Sequence, residues 1–130
     1  MDNDEELESQ TITIGRLYDD YVRFLKRMFG FSLRRKKLDC VEVEEVARST
    51  YLQVRELRAR IEAKREFVSP AFIEFVKYFD LASGCLAVYM SSKIMHGKGL
   101  LTRAELARDE KEHRHYNRLL IKASKHLDKL

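Results

Sequence analysis

The chain has 130 residues, of which 45% are hydrophobic and 35% are charged. This length and apolar content are typical of one domain with one continuous core, and they exclude a chain that is disordered or of low complexity throughout. The formal net charge of +4 permits a nucleic acid or another acidic partner but does not require one.

The acids are concentrated at the start of the chain. The first eight residues contain five acids and no base, so the residues from Ser9 onward hold 25 bases against 16 acids and carry a net charge of +9. We expect residues 1–11 to form a short, disordered acidic tail and residues 12–130 to form a single helical-bundle domain. No segment has the features of a secretory signal or the roughly 18 uncharged residues of a membrane span, which predicts a cytoplasmic protein.

The two cysteines, Cys40 and Cys85, are far apart in the sequence and form no paired motif. We interpret them as small, buried apolar groups rather than as part of a disulfide framework or a metal knuckle. Asn and Gln together number four, beside 46 charged residues and no Trp, which is a composition typical of thermophile proteins.

Apolar residues at spacings of three and four predict four helices. The first is expected from about Thr13 to Phe29, and Gly30 interrupts it before a basic connector over residues 31–38. Asp39 with Glu42 has the form of a capping box at the start of the second helix, which ends near the bases Lys64 and Arg65.

Ser69 and Pro70 suit the N-cap and the first turn of the third helix, for which Gly97 is the expected C-cap. Residues 81–92 carry no charge, so this helix should be the most buried, and one of its faces is predicted to meet a second subunit. Thr102 and Glu105 make a second capping box at the start of the last helix.

Four helices joined by short connectors predict an all-α fold, namely a four-helix antiparallel bundle. No run with the alternating period of a strand competes with this interpretation.

Two basic tracts predict a surface for a nucleic-acid backbone. One extends from Arg23 to Lys37 without an acid, with Phe29 and Phe31 between its bases, and the other follows the last helix from Lys111 to Lys129 over roughly 27 Å. Phosphates attract such clusters by counterion release, and an aromatic ring can stack on an unpaired base. The residues expected to bind RNA or DNA are Arg27, Arg34, Arg35, Lys36, Lys37, Arg114, Arg118, Lys122 and Lys125. We expect a homo-oligomer or a subunit of a complex; the alternative is a protein–protein assembly module whose charges only solvate and steer.

The last helix has a polar interruption in its apolar seam. Asp109 and His113 are one turn apart, and a carboxylate one turn from a histidine can orient the imidazole or raise its pKa. We expect His113 to be a hydrogen-bonded histidine in the seam. Glu110 and His113 have the Glu-x-x-His spacing of metal-binding bundles, which leaves a metal site as an alternative. A di-iron bundle needs this motif on two different helices, and Glu-x-x-His does not occur outside the predicted last helix, so we expect no cofactor.

The stretch from Arg108 to His113 resembles the R-x4-H motif of HEPN-type ribonucleases, which are dimeric helical bundles. The resemblance implies that Arg108 holds the scissile phosphate and that His113 transfers a proton. The tyrosine often found two residues after the histidine is His115 in this chain.

The apolar segment 72–89 of the third helix is also similar to the apolar helix of the small helical subunits in type III CRISPR effector complexes. Those subunits line a groove that holds guide and target RNA, and they contact its backbone. This resemblance implies backbone binding without base recognition.

Overall fold

A computed structural model describes residues 3–30 and 38–127, with side chains from Glu5 onward. The described residues form four α-helices and no strand, which confirms the all-α prediction. The helices are α1 (Asn3–Phe29), α2 (Cys40–Glu62), α3 (Pro70–Gly97) and α4 (Arg103–Leu127), and one 3-10 turn, Arg65–Phe67, lies between α2 and α3.

The first helix begins at Asn3, about ten residues earlier than its predicted start, so most of the expected acidic tail is helical. Packing explains the difference, because Gln10 is buried and Leu7 packs against the core. Glu6 accepts a hydrogen bond of 3.2 Å from Nζ of Lys64, which follows the end of α2 by two residues. Acidic side chains are also favourable in the first turns of a helix, where they face the positive end of its dipole.

Side-chain caps begin the other three helices at the predicted positions. Oδ1 of Asp39 accepts from the Glu42 amide at 3.1 Å, and the Ser69 hydroxyl accepts from the Phe72 amide at 3.2 Å. Thr102 and Glu105 form both halves of a capping box, with the Glu105 amide donating to Thr102 Oγ1 at 3.1 Å and the Thr102 amide donating to the Glu105 carboxylate at 3.2 Å.

The end of α3 differs from the prediction that Gly97 is its C-cap. Gly97 is the last helical residue, Lys98 is the cap, and Gly99 has a φ of +75°. Glycine adopts this left-handed conformation without strain, and it directs the chain into α4.

Helix α3 is central to the core. Its residues Phe75 and Phe79 are buried, and both meet the ring of Tyr18 on α1, with centroid distances of 5.0 and 5.4 Å. All four helices contribute to the same core, which includes Ile14, Val43 and Leu120. The predicted burial of the third helix is therefore confirmed.

Helices α2 and α4 both pack against α3. On α2, Tyr51 lies against Gly84 of α3, and Arg58 lies against Asp80 of α3. The later residue of α2 thus contacts the earlier residue of α3. The Arg58 guanidinium donates to Oδ2 of Asp80 at 2.7 Å and to Glu62 at 3.0 Å. This ion pair compensates the charge of Asp80, which is almost fully buried.

Candidate nucleic-acid interface

The basic side chains of α4 share the face opposite its apolar seam. Leu120 and Ala123 are buried against the rest of the bundle. Successive helical residues are 100° apart, so the bases at spacings of three and four fall on the outward side. The exposed bases of this face, called the α4 basic face below, are Lys111, Arg114, Arg118, Lys122 and Lys125.

The charges of the α4 basic face are only partly neutralised. Arg114 forms an ion pair with Glu110, and Nε of Arg118 donates to the carbonyl oxygen of Arg114 at 3.3 Å. Within residues 5–30 and 38–127, no carboxylate lies within 4.0 Å of the amino groups of Lys111, Lys122 or Lys125. These lysines therefore present their charge to solvent.

The second predicted tract is described only in part. Arg34, Arg35, Lys36 and Lys37 lie outside the described residues. Arg27 is exposed on α1, and its guanidinium carbon lies 5.4 Å from the ring centre of Phe24. Arg27 is therefore accessible to a ligand.

A groove of about 480 Å³ connects the end of α1 with α4. Lys26, Phe29 and Gly30 line it from α1, and Asn117 and Ile121 line it from α4. Phe29 and Ile121 are exposed, large apolar side chains at its rim. The chain thus leaves α1 next to the helix that carries the α4 basic face.

The polar interruption in α4 differs from the sequence prediction. Oδ2 of Asp109 accepts a hydrogen bond of 2.6 Å from the Ser92 hydroxyl on α3, so this carboxylate does not bond to His113. The imidazole of His113 stacks on the ring of Tyr89 at 6.0 Å, and its buried Nε2 has no hydrogen-bond partner. Burial lowers the pKa of His113 below its ordinary value, Arg114 lowers it further, and Glu110 opposes them. The nearby carboxylate therefore does not raise the pKa of His113 overall, because desolvation outweighs it, and within the described residues Nε2 lacks the hydrogen bond that was expected of this histidine.

Arg108 and His113 are not brought together within one chain. The Arg108 guanidinium is exposed, and the nearest carboxylate oxygen, on Asp109, lies 3.8 Å from its Nε. His113 points inward to α3, where it meets Tyr89. The ribonuclease alternative thus stays a prediction from the motif, without a shared catalytic pocket in the described chain.

The alternative metal ligands, Glu110 and His113, have other neighbours. Glu110 forms the ion pair with Arg114. Burial raises the pKa of Tyr89 above its ordinary value, and Glu110 raises it further. Among residues 5–30 and 38–127, no group of three or more His, Cys, Asp or Glu side chains is placed to hold a metal ion.

The sequence did not locate a second groove, of about 530 Å³, on the outer side of α3. Arg48 and Arg55 of α2 lie on one wall, Asp109 and Glu112 of α4 lie on the other, and Val88 lies in the floor. The signal for it is the run 81–92, which leaves α3 without a charge on every face, including the face that none of the other described helices covers.

No protein-family model, curated protein or solved structure matches the chain. None of the described helices combines the length and the apolar character needed to cross a membrane.

Proposed function

We propose that the chain is an antiparallel four-helix bundle that binds a nucleic-acid backbone, without base specificity, through the α4 basic face. The observation that carries this proposal is the alignment of five exposed bases on one side of α4. From Lys111 to Lys125 they extend over roughly 21 Å, at 1.5 Å per residue. Adjacent phosphates of one strand are only a few ångströms apart, so a face of this length meets several of them.

The end of α1 supports a continuation of this surface. Lys26 and Gly30 line the same groove as Ile121, which lies between Arg118 and Lys122 in α4. Arg34, Arg35, Lys36 and Lys37 follow Gly30 in the sequence. The proposal therefore includes these four bases in the surface that binds the strand.

Phe29 supports a preference for single strands. Its side chain is exposed at the rim of the groove, beside Lys26. An aromatic ring next to a basic surface stacks on an unpaired base, whereas the bases of a duplex are stacked on each other. Stacking of this kind is tolerant of sequence, as a backbone-binding function requires.

The cysteines support a cytoplasmic location for this function. Cys40 and Cys85 are both free thiols and are both half-buried. Free thiols are typical of a reducing compartment, where RNA and DNA are also found.

Binding of a fluorescent oligonucleotide, followed by anisotropy over a range of salt concentrations, tests the proposal. Wild-type affinity should fall steeply with salt, and a triple Arg118→Glu, Lys122→Glu, Lys125→Glu variant should lose most of it. The slope of log K against log salt should decrease by about 0.7 for each single-strand phosphate contact that is lost. Neutralising Arg34, Arg35, Lys36 and Lys37 together should weaken binding in the same way.

A matched control separates the α4 basic face from net charge. A triple Arg16→Glu, Arg60→Glu, Arg65→Glu variant changes the charge by the same amount at exposed positions outside α4. It should keep most of the affinity, and single-stranded probes should bind more tightly than duplexes. Equal losses in both triple variants, or no wild-type binding at low salt, would contradict the proposal.

A further inference from the structure

The face of α3 that points away from α1 is apolar and open. Phe79 meets α1, and Val88, nine residues later, lies half a turn round the helix on the opposite side. Val88 is 55% exposed and Met95 is 40% exposed, although both belong to the helix that dominates the core. An apolar patch between charged walls is typical of a surface that another protein covers.

The cationic wall of this groove is aligned with Val88. On α2, Tyr51 lies against Gly84, with ring atoms 2.9 Å from the position of a Cβ at Gly84. Arg48 is three residues before Tyr51, and Val88 is four residues after Gly84, so both lie about one turn from this contact. A step back along α2 and a step forward along α3 lead in the same direction, because the residue numbers of contacting positions rise along α2 as they fall along α3. Arg48 and Val88 therefore lie at the same height in the groove.

The anionic wall is aligned with Val88 too. On α4, His113 stacks on Tyr89, and each is the next residue after Glu112 and Val88, respectively. Glu112 therefore lies across the groove from Arg48, with Val88 between them.

We infer that this groove is the docking surface for a second copy of the chain, related by a twofold axis that is parallel to α3 and passes beside Val88. Such a rotation places α2 of one copy over α4 of the other, because α2 and α4 flank α3 on opposite sides. Arg48 then faces the partner's Glu112, and Glu112 faces the partner's Arg48. Val88 meets the partner's Val88 on the axis.

The charge arrangement identifies the occupant as a second copy. A groove with one cationic and one anionic wall is complementary to itself under this rotation, and each ion pair forms twice. A twofold axis across the helices would instead bring arginine over arginine. This inference is independent of nucleic-acid binding, and its test contains no nucleic acid.

Charge reversal gives a decisive test by light scattering after size exclusion. The wild type should have about twice the monomer mass of 15.4 kDa. Arg48→Glu should be monomeric at the same concentration, because it sets two glutamates against each other twice, and Glu112→Arg should be monomeric for the equivalent reason. An equimolar mixture of these two variants should form a heterodimer. Glu112 of the first variant then faces Arg48 of the second, as in the wild type, and the two substituted positions face each other as an ion pair of reversed sign.

Arg60→Glu is the matched control for Arg48→Glu. Both arginines pair with a glutamate four residues earlier on α2, and their side chains are 56% and 58% exposed, respectively. Arg60 lies outside the groove, so this variant should remain dimeric. Helical circular dichroism should show that all variants are folded; if a reversed variant is not, Val88→Lys should separate the copies on the axis. A wild type that is monomeric at all concentrations, or a mixture that stays monomeric, would overturn the inference.

Discussion

The Ser92 hydroxyl donates a 2.6 Å hydrogen bond to Oδ2 of Asp109, and this contact links α3 to α4 at the polar interruption of the seam. The Asp109 side chain is only 14% exposed, so water does little to solvate its charge. Nearby, His113 has no hydrogen-bond partner for its buried Nε2. These neighbouring polar groups should therefore affect stability in opposite directions.

Replacing Ser92 by Ala should lower the free energy of unfolding by about 1–3 kcal/mol, because it leaves a largely buried carboxylate without its donor. Urea denaturation measures the change. Ser91→Ala, at an exposed neighbouring position, should change stability by less than about 0.5 kcal/mol. A Ser92→Ala, Asp109→Leu double variant should recover most of the loss, since both polar partners are then removed; a further loss would contradict this explanation.

His113→Phe should raise the free energy of unfolding by about 1 kcal/mol at neutral pH, because phenylalanine keeps the stack on Tyr89 and removes the unpaired nitrogen. The gain should increase as the pH falls below the ordinary histidine pKa of 6.5. Below that value the unfolded wild type binds a proton that the folded form, with its lowered pKa, does not yet bind, so acid favours unfolding.

Denaturation of both proteins between about pH 7 and pH 5 measures this change, and an NMR titration of the imidazole of His113 should have its midpoint below 6.5. The charged groups that shift the pKa of His113 are Arg114, which lowers it, and Glu110, which raises it. A difference in stability that stays constant with pH would show that the imidazole is solvated in the folded state.

The sequence predicted the helix starts better than the contacts between helices. The caps at Asp39, Ser69 and Thr102 were correct because each involves a side chain and an amide within three residues. The start of α1 was predicted too late, because its first turns depend on packing and on the contact of Glu6 with Lys64, 58 residues away. A local pattern contains no information about such a partner.

The same distinction applies to the candidate sites. The α4 basic face follows from helical periodicity alone, and its bases are exposed as that periodicity requires. The hydrogen bond of Asp109 is made with Ser92 on another helix. The second groove, on the outer side of α3, exists because one face of α3 is covered by no other helix of the described residues. Both are properties of the packed helices rather than of any one segment.

Cys85 should be a slow nucleophile. Burial, followed by the charges of Glu112 and Asp109, raises the pKa of its thiol from 9.0 to about 11. At neutral pH the thiolate fraction is then about a hundredfold lower than for a thiol with a pKa of 9.0, since each pKa unit changes this fraction tenfold. Alkylation by iodoacetamide in a Cys40→Ser background, followed by mass spectrometry, should accelerate with pH until about 11.

Glu112→Gln in the same background should increase the alkylation rate at neutral pH, because it removes the larger of the two charge effects on Cys85. Both alkylation experiments require dilute protein, so that self-association does not cover the groove that Cys85 lines. A rate that reaches its plateau near pH 9 would mean that the thiol is solvated.

Alanine at Gly84 and at Gly15 should have opposite effects, although both glycines lie inside helices. A Cβ at Gly84 would lie 2.9 Å from ring atoms of Tyr51, so the ring must move away from α3. A Cβ at Gly15 meets no atom within 4 Å, and alanine there gains about 0.5–1 kcal/mol from its better helix propensity. Overpacking typically costs about 1–3 kcal/mol, which exceeds the same propensity gain at Gly84. Gly15→Ala should therefore raise the urea midpoint and Gly84→Ala should lower it. Equal urea midpoints for the two variants would mean that Tyr51 does not pack closely on α3.

The same two variants should differ in self-association. A displaced Tyr51 ring disturbs the wall of the groove next to Arg48, so Gly84→Ala should weaken self-association, whereas Gly15→Ala should not.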